Sequence, residues 1–87
     1  MKILVTGGCG FLGSSICISL KTKYPDYKII AFDNLKRSGS EINLIELRSH
    51  DIEFTHGDIR NFEDIELVGE FNVLVDCSAE PSDTQAI

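Results

Sequence analysis

The sequence has few basic residues and no long apolar run. Eight Lys and Arg stand against fourteen Asp and Glu in 87 residues, which gives a formal charge of −6. Nucleic acids and anionic membrane surfaces are bound through clustered basic side chains, and the scattered basic residues here argue against both partners. No stretch approaches the roughly 20 apolar residues of a membrane span, and the apolar start is too short for a signal peptide. These absences predict a soluble, cytoplasmic protein.

Cysteine is also sparse, and its pattern argues against a metal site. Cys9, Cys17 and Cys77 are odd in number and lack the C-x-x-C spacing of metal ligands. Their neighbours are small or apolar, so we expect buried free thiols in a reducing compartment. His50 and His56 have no matching Asp or Cys constellation and are expected to be structural or exposed.

Four short apolar segments predict β-strands in a chain long enough for one small domain. They cover residues 2–6, 28–32, 52–56 and 71–77. The first, second and fourth are apolar runs rather than alternations, as expected for strands that are covered on both faces.

Three helices are predicted between these strands. The first stops before Pro25, the second is expected to be capped by Ser38 or Ser40, and the third by Asn61, with Asp64 three residues on. The predicted inner faces are, in chain order, Leu12, Ile16 and Leu20; Ile42, Leu44, Ile45 and Leu47; and Phe62, Ile65 and Val68.

Strands that alternate with helices predict parallel pairing through right-handed crossovers. We expect an α/β fold with four parallel strands in the order 3-2-1-4 and helices on both faces. The chain ends about ten residues after the fourth strand, where a doubly wound sheet normally continues. The fourth strand would then be an unpaired edge, which favours self-association.

A glycine cluster separates the first strand from the first helix, in TGGCGFLGSS at residues 6–15. Gly7, Gly10 and Gly13 have the spacing G-x-x-G-x-x-G in the strand–turn–helix context of dinucleotide binding. The first glycine makes the tight turn, the second admits a pyrophosphate, and the third packs the helix on the strand. Free N–H groups around Phe11 and Leu12 then face the phosphates. The cluster predicts a dinucleotide-binding Rossmann fold. Together with the end of the chain after the fourth strand, it predicts that the fold is partial and that residues 1–87 are the N-terminal part of an NAD(P)-binding domain.

Asp33 supports this interpretation of the glycines. It follows the second predicted strand, 20 residues after Gly13, the distance at which an acidic residue accepts hydrogen bonds from ribose hydroxyls. A carboxylate there also repels a 2′-phosphate, which favours NAD over NADP. A triphosphate-binding G-x-x-x-x-G-K-[S/T] loop is excluded because no lysine follows Gly13. A methyltransferase that binds S-adenosylmethionine uses similar elements, but with closer glycine spacing.

Four segments of the chain carry a family resemblance: TGGCGFLGSS, FDNLKRSGSEINL, THGDIRN and CSAEPS. Together they resemble the N-terminal end of the extended short-chain dehydrogenase/reductases, the NAD-dependent nucleotide-sugar epimerases and dehydratases. Within that family the likeness is greatest to the CDP-tyvelose (CDP-paratose) 2-epimerase group. The resemblance implies NAD as the cofactor and a nucleotide sugar as the substrate of the whole protein.

The resemblance also implies a set of cofactor contacts. It places the pyrophosphate at Gly7, Gly10, Phe11 and Leu12, the adenosine ribose at Asp33 and Asn34, and Arg37 near the ribose or adenine. Asp58 and Ile59 would flank the adenine, and Cys77, Ser78 and Ala79 would pass along the cofactor. A carboxylate at Asp58 could accept a hydrogen bond from the adenine amino group.

The sequence departs from the family pattern at two positions and lacks one motif. Asp76 stands where the family often has His, and Ser78 where Ala is usual; a buried Asp76 would need a partner. The enzymes of this family resemble one another in a Ser/Thr and a Tyr-x-x-x-Lys pair that transfer a proton during the reaction. That spacing occurs here between Tyr24 and Lys28, but Pro25 breaks the helix that would align the two side chains. No residue is assigned a catalytic role, and the chain is expected to be inactive alone.

We expect the whole protein to be an NAD-dependent nucleotide-sugar epimerase whose substrate domain is absent from this chain. By the resemblance, a hydride leaves a sugar carbon, the keto intermediate rotates, and the hydride returns to its other face. Alternatives are a dehydratase or reductase of the same family, or a non-catalytic dinucleotide sensor on the same fold. A homo-oligomer, or self-association of this chain, is expected.

Overall fold

The computed structural model describes residues 1–77. The elements follow one another as β1 (Lys2–Thr6), α1 (Phe11–Lys23), β2 (Lys28–Asp33), α2 (Ser40–Ser49), β3 (Glu53–His56), α3 (Phe62–Glu66) and β4 (Val73–Asp76). This is the predicted succession of strands and helices. None of the helices in this part of the chain is long and apolar enough to cross a membrane.

The four strands form one parallel sheet in the order β3-β2-β1-β4, as predicted. β1 is central, with Val5 opposite Ala31 of β2 on one side and Val75 of β4 on the other. All four carboxyl ends therefore lie along one edge of the sheet.

Successive residues of β1 and β2 face opposite sides of the sheet, as the strand period of two requires. One side packs against α1 and α2 around a buried cluster of Ile3, Val5, Cys9, Cys17, Ile29, Ala31, Leu47 and Ile52. The other side packs around Leu4, Ile30, Phe32 and Val68, with Ile65 of α3 against them. The predicted α/β fold with helices on both faces is confirmed.

The predicted inner face of α1 is partly wrong. Leu12 is largely exposed, and the buried residues of this helix are Gly13, Ser14 and Cys17. Small residues bring the helix axis close to the sheet, so the buried stripe is the one with the least side-chain volume. The apolar periodicity alone did not indicate this.

The predictions for α2 also need correction. Its N-cap is Gly39 rather than Ser38 or Ser40, because residues 37–40 form a turn with Gly39 at φ 90° and an N–H···O bond of 3.2 Å from Ser40 to Arg37. Positive φ at the third residue of such a turn favours glycine.

The inner face of α2 is narrower than predicted. Leu47 is buried and Leu44 half-buried, but Ile42 and Ile45 are exposed. At 3.6 residues per turn these isoleucines lie roughly 140–160° around the helix from Leu47. They therefore cannot share its face.

The predicted N-cap of α3 is confirmed, because Asn61 Oδ1 accepts from the Glu63 amide at 3.1 Å. The pairing of this cap with Asp64 is not confirmed, because the Asn61 amide donates to the Asp58 carbonyl and Asp64 Oδ2 accepts from the Asp58 amide.

The predicted inner face of α3 is partly wrong. Val68 is buried and Ile65 half-buried, whereas Phe62 is exposed. The helix is only five residues long, so a single stripe reaches the sheet.

β4 is shorter than predicted and is less covered. It pairs with β1, and Val73 and Leu74 are 40% and 50% exposed. Within residues 1–77, β4 has no second strand partner. The predicted edge strand is thus present, and its self-association stays a prediction.

Candidate functional site

A cleft of about 350 Å³ opens at the carboxyl end of the sheet. The strand order reverses at β1, which has β2 on one side and β4 on the other. Ligands of open parallel sheets bind at such a switch point. Residues at or after all four strand ends line the cleft: Gly7, Gly10, Phe32, Asp33, Asn34, Lys36, Arg37, Gly57, Asp58, Ile59, Arg60, Asp76 and Cys77.

The glycine loop, residues 7–10, requires glycine for two different reasons. Gly7 has φ 68°, a left-handed conformation that L side chains disfavour, and its carbonyl accepts from Gly10 N–H at 3.0 Å. A Cβ on Gly8 would lie 2.6 Å from the Ala31 Cβ, and a Cβ on Gly13 would overlap the Gly7 carbonyl oxygen. The first predicted glycine therefore makes the turn, and the third allows α1 to pack on it.

The N-terminus of α1 is uncapped by any side chain. Its N-cap is Gly10, and the first turn has no acidic residue. The first amide to bond back is that of Ser14, which donates to the Gly10 carbonyl at 2.9 Å. The amides of Phe11 and Leu12 precede it, so the helix itself offers them no acceptor. The side chains of Phe11 and Leu12 are exposed, and neither residue lines the cleft. The pyrophosphate contact predicted for these two residues would therefore be made by their backbone amides.

Asp33 connects the end of β2 to two loops. Its Oδ2 accepts from the Cys9 amide at 2.9 Å, and its Oδ1 accepts from the Leu35 amide at 2.9 Å. A carboxylate has about four acceptor positions, so two remain. The predicted ribose ligand is thus also a structural contact of the glycine loop.

The segment after Asp33 forms the next wall of the cleft. Asn34 Oδ1 accepts from the Lys36 amide at 3.1 Å, and Leu35 has φ 60° while its side chain packs on the core. This turn brings Lys36 and Arg37 to the cleft. Two basic residues therefore line the same cleft as Asp33.

The loop after β3 holds an ion pair. Arg60 Nε and Nη2 donate to the two carboxylate oxygens of Asp58 at 3.1 and 2.9 Å, and the Arg60 amide donates to Oδ1 at 2.9 Å. Hydrogen bonds from the Arg60 side chain and backbone lower the pKa of Asp58 to about 2. Asp58 is therefore an ionised acceptor at neutral pH.

Gly57 lets this loop approach the sheet. A Cβ at Gly57 would lie 2.7 Å from the Phe32 ring and 2.9 Å from the Asp64 Cβ. Asp64 Oδ2 also accepts from the Asp58 amide at 3.0 Å. These contacts fix Asp58 and Ile59 against the cleft.

The end of β4 closes the cleft beside the glycine loop. Asp76 is exposed, and its Oδ1 accepts from the Thr6 hydroxyl at 2.8 Å. Thr6 is thus the partner that the sequence did not identify. The Cys77 amide donates to the Thr6 carbonyl at 2.9 Å, which places Cys77 at the cleft. Ser78 and Ala79 lie outside the described residues.

The three cysteines are free thiols, with Cys9 and Cys17 buried and Cys77 half-buried. Burial, more than any neighbouring charge, raises the pKa of Cys9 and of Cys17 to about 12, and it also raises the pKa of Cys77. All three thiols are therefore neutral at physiological pH. The glycine loop carries no thiolate that would repel an anion.

The predicted site residues converge well. Eight of the twelve line the cleft: Gly7, Gly10, Asp33, Asn34, Arg37, Asp58, Ile59 and Cys77. Phe11 and Leu12 adjoin it through α1. Sequence reasoning missed Phe32, Lys36, Gly57, Arg60 and Asp76 as lining residues; a glycine directly after a strand was an available signal for Gly57.

Residues outside the cleft match two further expectations. His50 and His56 are exposed. Tyr24 lies at the end of α1 and Lys28 at the start of β2, which is the opposite end of the sheet from the cleft.

Within residues 1–77, no group of three His, Cys, Asp or Glu is arranged to hold a metal ion.

Comparisons with known proteins agree with this geometry. The model of the NAD-dependent epimerase/dehydratase family matches residues 3–86. CDP-paratose 2-epimerase of Salmonella typhi is 50% identical over 66 residues, which are 75% of this chain and 19% of that protein.

Two solved structures extend the likeness to the fold. The dTDP-glucose 4,6-dehydratase of Bacillus anthracis, in complex with NAD, has a TM-score of 0.78 and 38% identity over 92% of this chain and 27% of its own. The UDP-glucuronic acid 4-epimerase of Bacillus cereus, in complex with NAD, has a TM-score of 0.72 and 29% identity over 93% of this chain and 28% of its own.

The chain spans about a fifth to a quarter of the length of the curated relatives that it matches. The family match nevertheless covers nearly all of its own residues, and the strand order and glycine turn are those of the predicted Rossmann fold. The chain therefore belongs to the NAD-dependent epimerase/dehydratase family.

Proposed function

We propose that the chain forms the NAD-binding part of a nucleotide-sugar epimerase. The observation that best supports NAD binding is the hydrogen bond from the Cys9 amide of the glycine loop to Asp33, beside the cleft at the carboxyl end of the sheet. It brings the amide-rich start of α1 and an acidic acceptor together, at the switch point of the sheet. These two features suit the pyrophosphate and the adenosine ribose of a dinucleotide.

The residues present fit the cofactor. The uncapped α1 terminus offers amide donors and the positive end of a helix dipole. Asp33 keeps acceptor positions for two ribose hydroxyls beyond its backbone contacts. The cleft volume of about 350 Å³ falls within the range of small-molecule sites, roughly 300–1,000 Å³.

We assign each part of the cofactor to one group of residues. Gly7, Gly10, Phe11 and Leu12 receive the pyrophosphate, Asp33 and Asn34 the ribose, Arg37 the ribose or adenine side, and Asp58 and Ile59 the adenine. Cys77, Ser78 and Ala79 follow the cofactor beyond β4. When bound, NAD supplies a hydride acceptor and donor; the residues assigned here bind and orient it.

The epimerase assignment rests on the 50% identity with CDP-paratose 2-epimerase. A dehydratase is the second candidate, because dTDP-glucose 4,6-dehydratase of Bacillus anthracis is 38% identical over 92% of the chain. Incubating the whole protein with CDP-linked and dTDP-linked sugars separates the two. An epimerase interconverts two sugars of equal mass, whereas a dehydratase releases water and lowers the product mass.

We further propose that residues 1–87 are the N-terminal part of a Rossmann domain and have no turnover alone. Tyr24 and Lys28, which have the spacing of the family's proton-transfer pair, lie at the sheet end opposite the cleft. Turnover of a nucleotide sugar by the 87-residue chain would contradict this.

Light scattering at high concentration tests the self-association predicted for the β4 edge, and a monodisperse monomer would contradict it.

Isothermal titration calorimetry of the 87-residue chain tests cofactor binding. We expect saturable NAD binding and weaker NADP binding, because a 2′-phosphate would face the carboxylate of Asp33. Equal affinity for NAD and NADP would show that Asp33 does not contact the ribose. An absence of heat with either cofactor, from a folded chain, would contradict the proposed function.

A further inference from the structure

The backbone of Cys9, at the centre of the glycine loop, is held by side chains of two other elements. Its N–H donates to Asp33 Oδ2 at 2.9 Å. Its carbonyl accepts from Asn43 Nδ2, in the first turn of α2, at 2.8 Å. The peptide groups on both sides of the Cys9 Cα are therefore tied to β2 and α2.

The direction of the Asn43 bond follows from chemistry. A backbone carbonyl can only accept, so the Asn43 side chain must present its amide nitrogen rather than its oxygen. The Cys9 carbonyl and the Gly10 N–H belong to one planar peptide group. Because Gly10 N–H donates to the Gly7 carbonyl at 3.0 Å, that group is fixed at both ends.

This arrangement limits the most mobile part of the loop. Cys9 lies between Gly8 and Gly10, and glycine has more backbone conformations to lose than any other residue. A loop already held in one conformation loses less entropy when a ligand binds. The hydrogen bonds from Asp33 and Asn43 to the Cys9 backbone should therefore lower the entropy that the loop loses when a ligand binds.

We propose that Asn43 is a positioning residue that, together with Asp33, clamps the glycine loop in the form that receives the pyrophosphate. The inference rests on the proposed NAD binding. Asn43 is half-buried and is not among the residues that line the cleft. It acts through the Cys9 carbonyl and makes no contact with the cofactor.

The test compares Asn43→Leu with Asn72→Leu in the 87-residue chain. Asn72 Oδ1 accepts from the Lys2 amide at 2.8 Å, a bond of the same length at the opposite end of the sheet. We expect Asn43→Leu to weaken NAD binding about threefold to tenfold, the size of one net hydrogen bond. Asn72→Leu should leave the NAD affinity of the folded protein within about twofold.

Amide NMR spectra supply a readout that general destabilisation does not move. In the ligand-free protein, Asn43→Leu should shift the resonances of Gly8, Cys9 and Gly10 and speed the hydrogen exchange of the Cys9 amide. Asn72→Leu should leave these unchanged. Asn43→Ser, too short to reach the same carbonyl, should reproduce the effects if the leucine variant fails to fold.

Unchanged loop resonances and unchanged NAD affinity in the Asn43 variants would overturn the clamp. Equal losses of affinity in the Asn43 and Asn72 variants would overturn it too, because they would indicate a loss of general stability. If the parent chain binds no NAD, the proposed function fails separately. The loop resonances and the Cys9 exchange rate then decide the clamp alone: altered values support it, and unaltered values overturn it.

Discussion

Hydrogen bonds and ion pairs of similar length connect different parts of the structure at the amino and carboxyl ends of the sheet. At the amino end, Lys2 N–H donates to Asn72 Oδ1 at 2.8 Å, Lys2 Nζ donates to the Val68 carbonyl at 2.9 Å, and Lys28 pairs with Glu53 at 3.3 Å. These contacts join neighbouring strands and connections directly. At the carboxyl end, Asp33 instead accepts from the amides of two loops.

The two ends also differ in their glycines and in how closely the backbone packs, and both features are concentrated at the carboxyl end. Four glycines crowd the loop after β1 and the first turns of α1, and Gly57 lets the loop after β3 approach Phe32. The amino-end ion pair is more than half exposed, and exposed pairs contribute about 0–1 kcal/mol. The carboxyl end therefore has the cleft and the closely packed loops that the proposed site requires, whereas the polar contacts of the amino end join strands and their connections.

The largest predicted effect is that of Gly13→Ala. Its Cβ would overlap the Gly7 carbonyl oxygen, and backbone cannot move aside as a side chain can. We expect a loss of about 3 kcal/mol or more in the free energy of unfolding, together with loss of NAD binding. Urea denaturation and calorimetry measure the two effects.

Gly69→Ala is the matched substitution at the amino end. Gly69 has φ 81° but ample space for a Cβ, with Lys2 Nζ 3.7 Å away. The left-handed backbone should cost about 1–2 kcal/mol and leave the NAD affinity of the folded protein unchanged. A Gly13→Ala protein as stable as Gly69→Ala would show that α1 does not pack on Gly7 as described.

The second effect is that of Asp33→Asn on cofactor choice. The amide keeps one acceptor oxygen but loses the charge, and a charged hydrogen bond contributes about 1.5–3 kcal/mol. We expect NAD affinity to fall about tenfold to a hundredfold and the preference for NAD over NADP to narrow. Calorimetry with both cofactors measures this.

Asp26→Asn is the control for that substitution. Asp26 is an exposed turn residue before β2, at the amino end, and its loss of charge should change neither affinity measurably. Equal losses of affinity in the two variants would assign the effect to overall charge rather than to the ribose contact proposed for Asp33.

The sequence was sufficient for the succession of elements, the strand order and most of the cleft. The succession of elements and the strand order follow from short-range signals, the apolar strands and the glycine turn after β1, and such signals also indicated Gly7, Gly10 and Asp33. The other predicted residues that line the cleft were implied by the family resemblance: Asn34, Arg37, Asp58, Ile59 and Cys77. The helix faces were less predictable, because Leu12, Ile42 and Phe62 continue an apolar pattern but lie outside the stripe that contacts the sheet.

The remaining parts of the site depend on contacts between distant residues. Asn43 reaches Cys9 across 34 positions of the chain, and Thr6 reaches Asp76 across 70. Asn43, Cys9 and Thr6 lie in segments that carry the family resemblance, but nothing in those segments indicates which distant residue each one contacts. The cap of α2 was missed because the turn geometry of residues 37–40, and not a serine side chain, determines where that helix begins.

The smallest predicted effect concerns the ion pair of Asp58 and Arg60. Arg60→Leu removes the side-chain hydrogen bonds, which are the largest cause of the low Asp58 pKa, but it keeps the backbone amide of position 60 as a donor. The pKa of Asp58 should therefore rise from about 2 only part of the way to its ordinary value of 3.8. Because the folded-state pKa is depressed, the pair stabilises the protein above about pH 4 and loses that contribution as the pH falls towards 2. Carboxyl NMR titration follows the change.

Lys28→Leu is the corresponding change at the amino end. It removes the pair with Glu53 and should leave the Asp58 titration where it is. An Asp58 midpoint near 3.8 in the unmodified protein would contradict the ion pair of Asp58 and Arg60.

The most direct test of the whole account is a titration of NAD into the ¹⁵N-labelled 87-residue chain, followed by amide NMR. We predict saturable shifts concentrated at residues 7–13, at Asp33 and Asn34, and at Gly57–Arg60. Amides at the amino end, such as those of Lys2 and Lys28, should stay in place. Shifts centred on the amino end, or none at saturating NAD in a folded chain, would contradict the claim that the carboxyl end is a dinucleotide site.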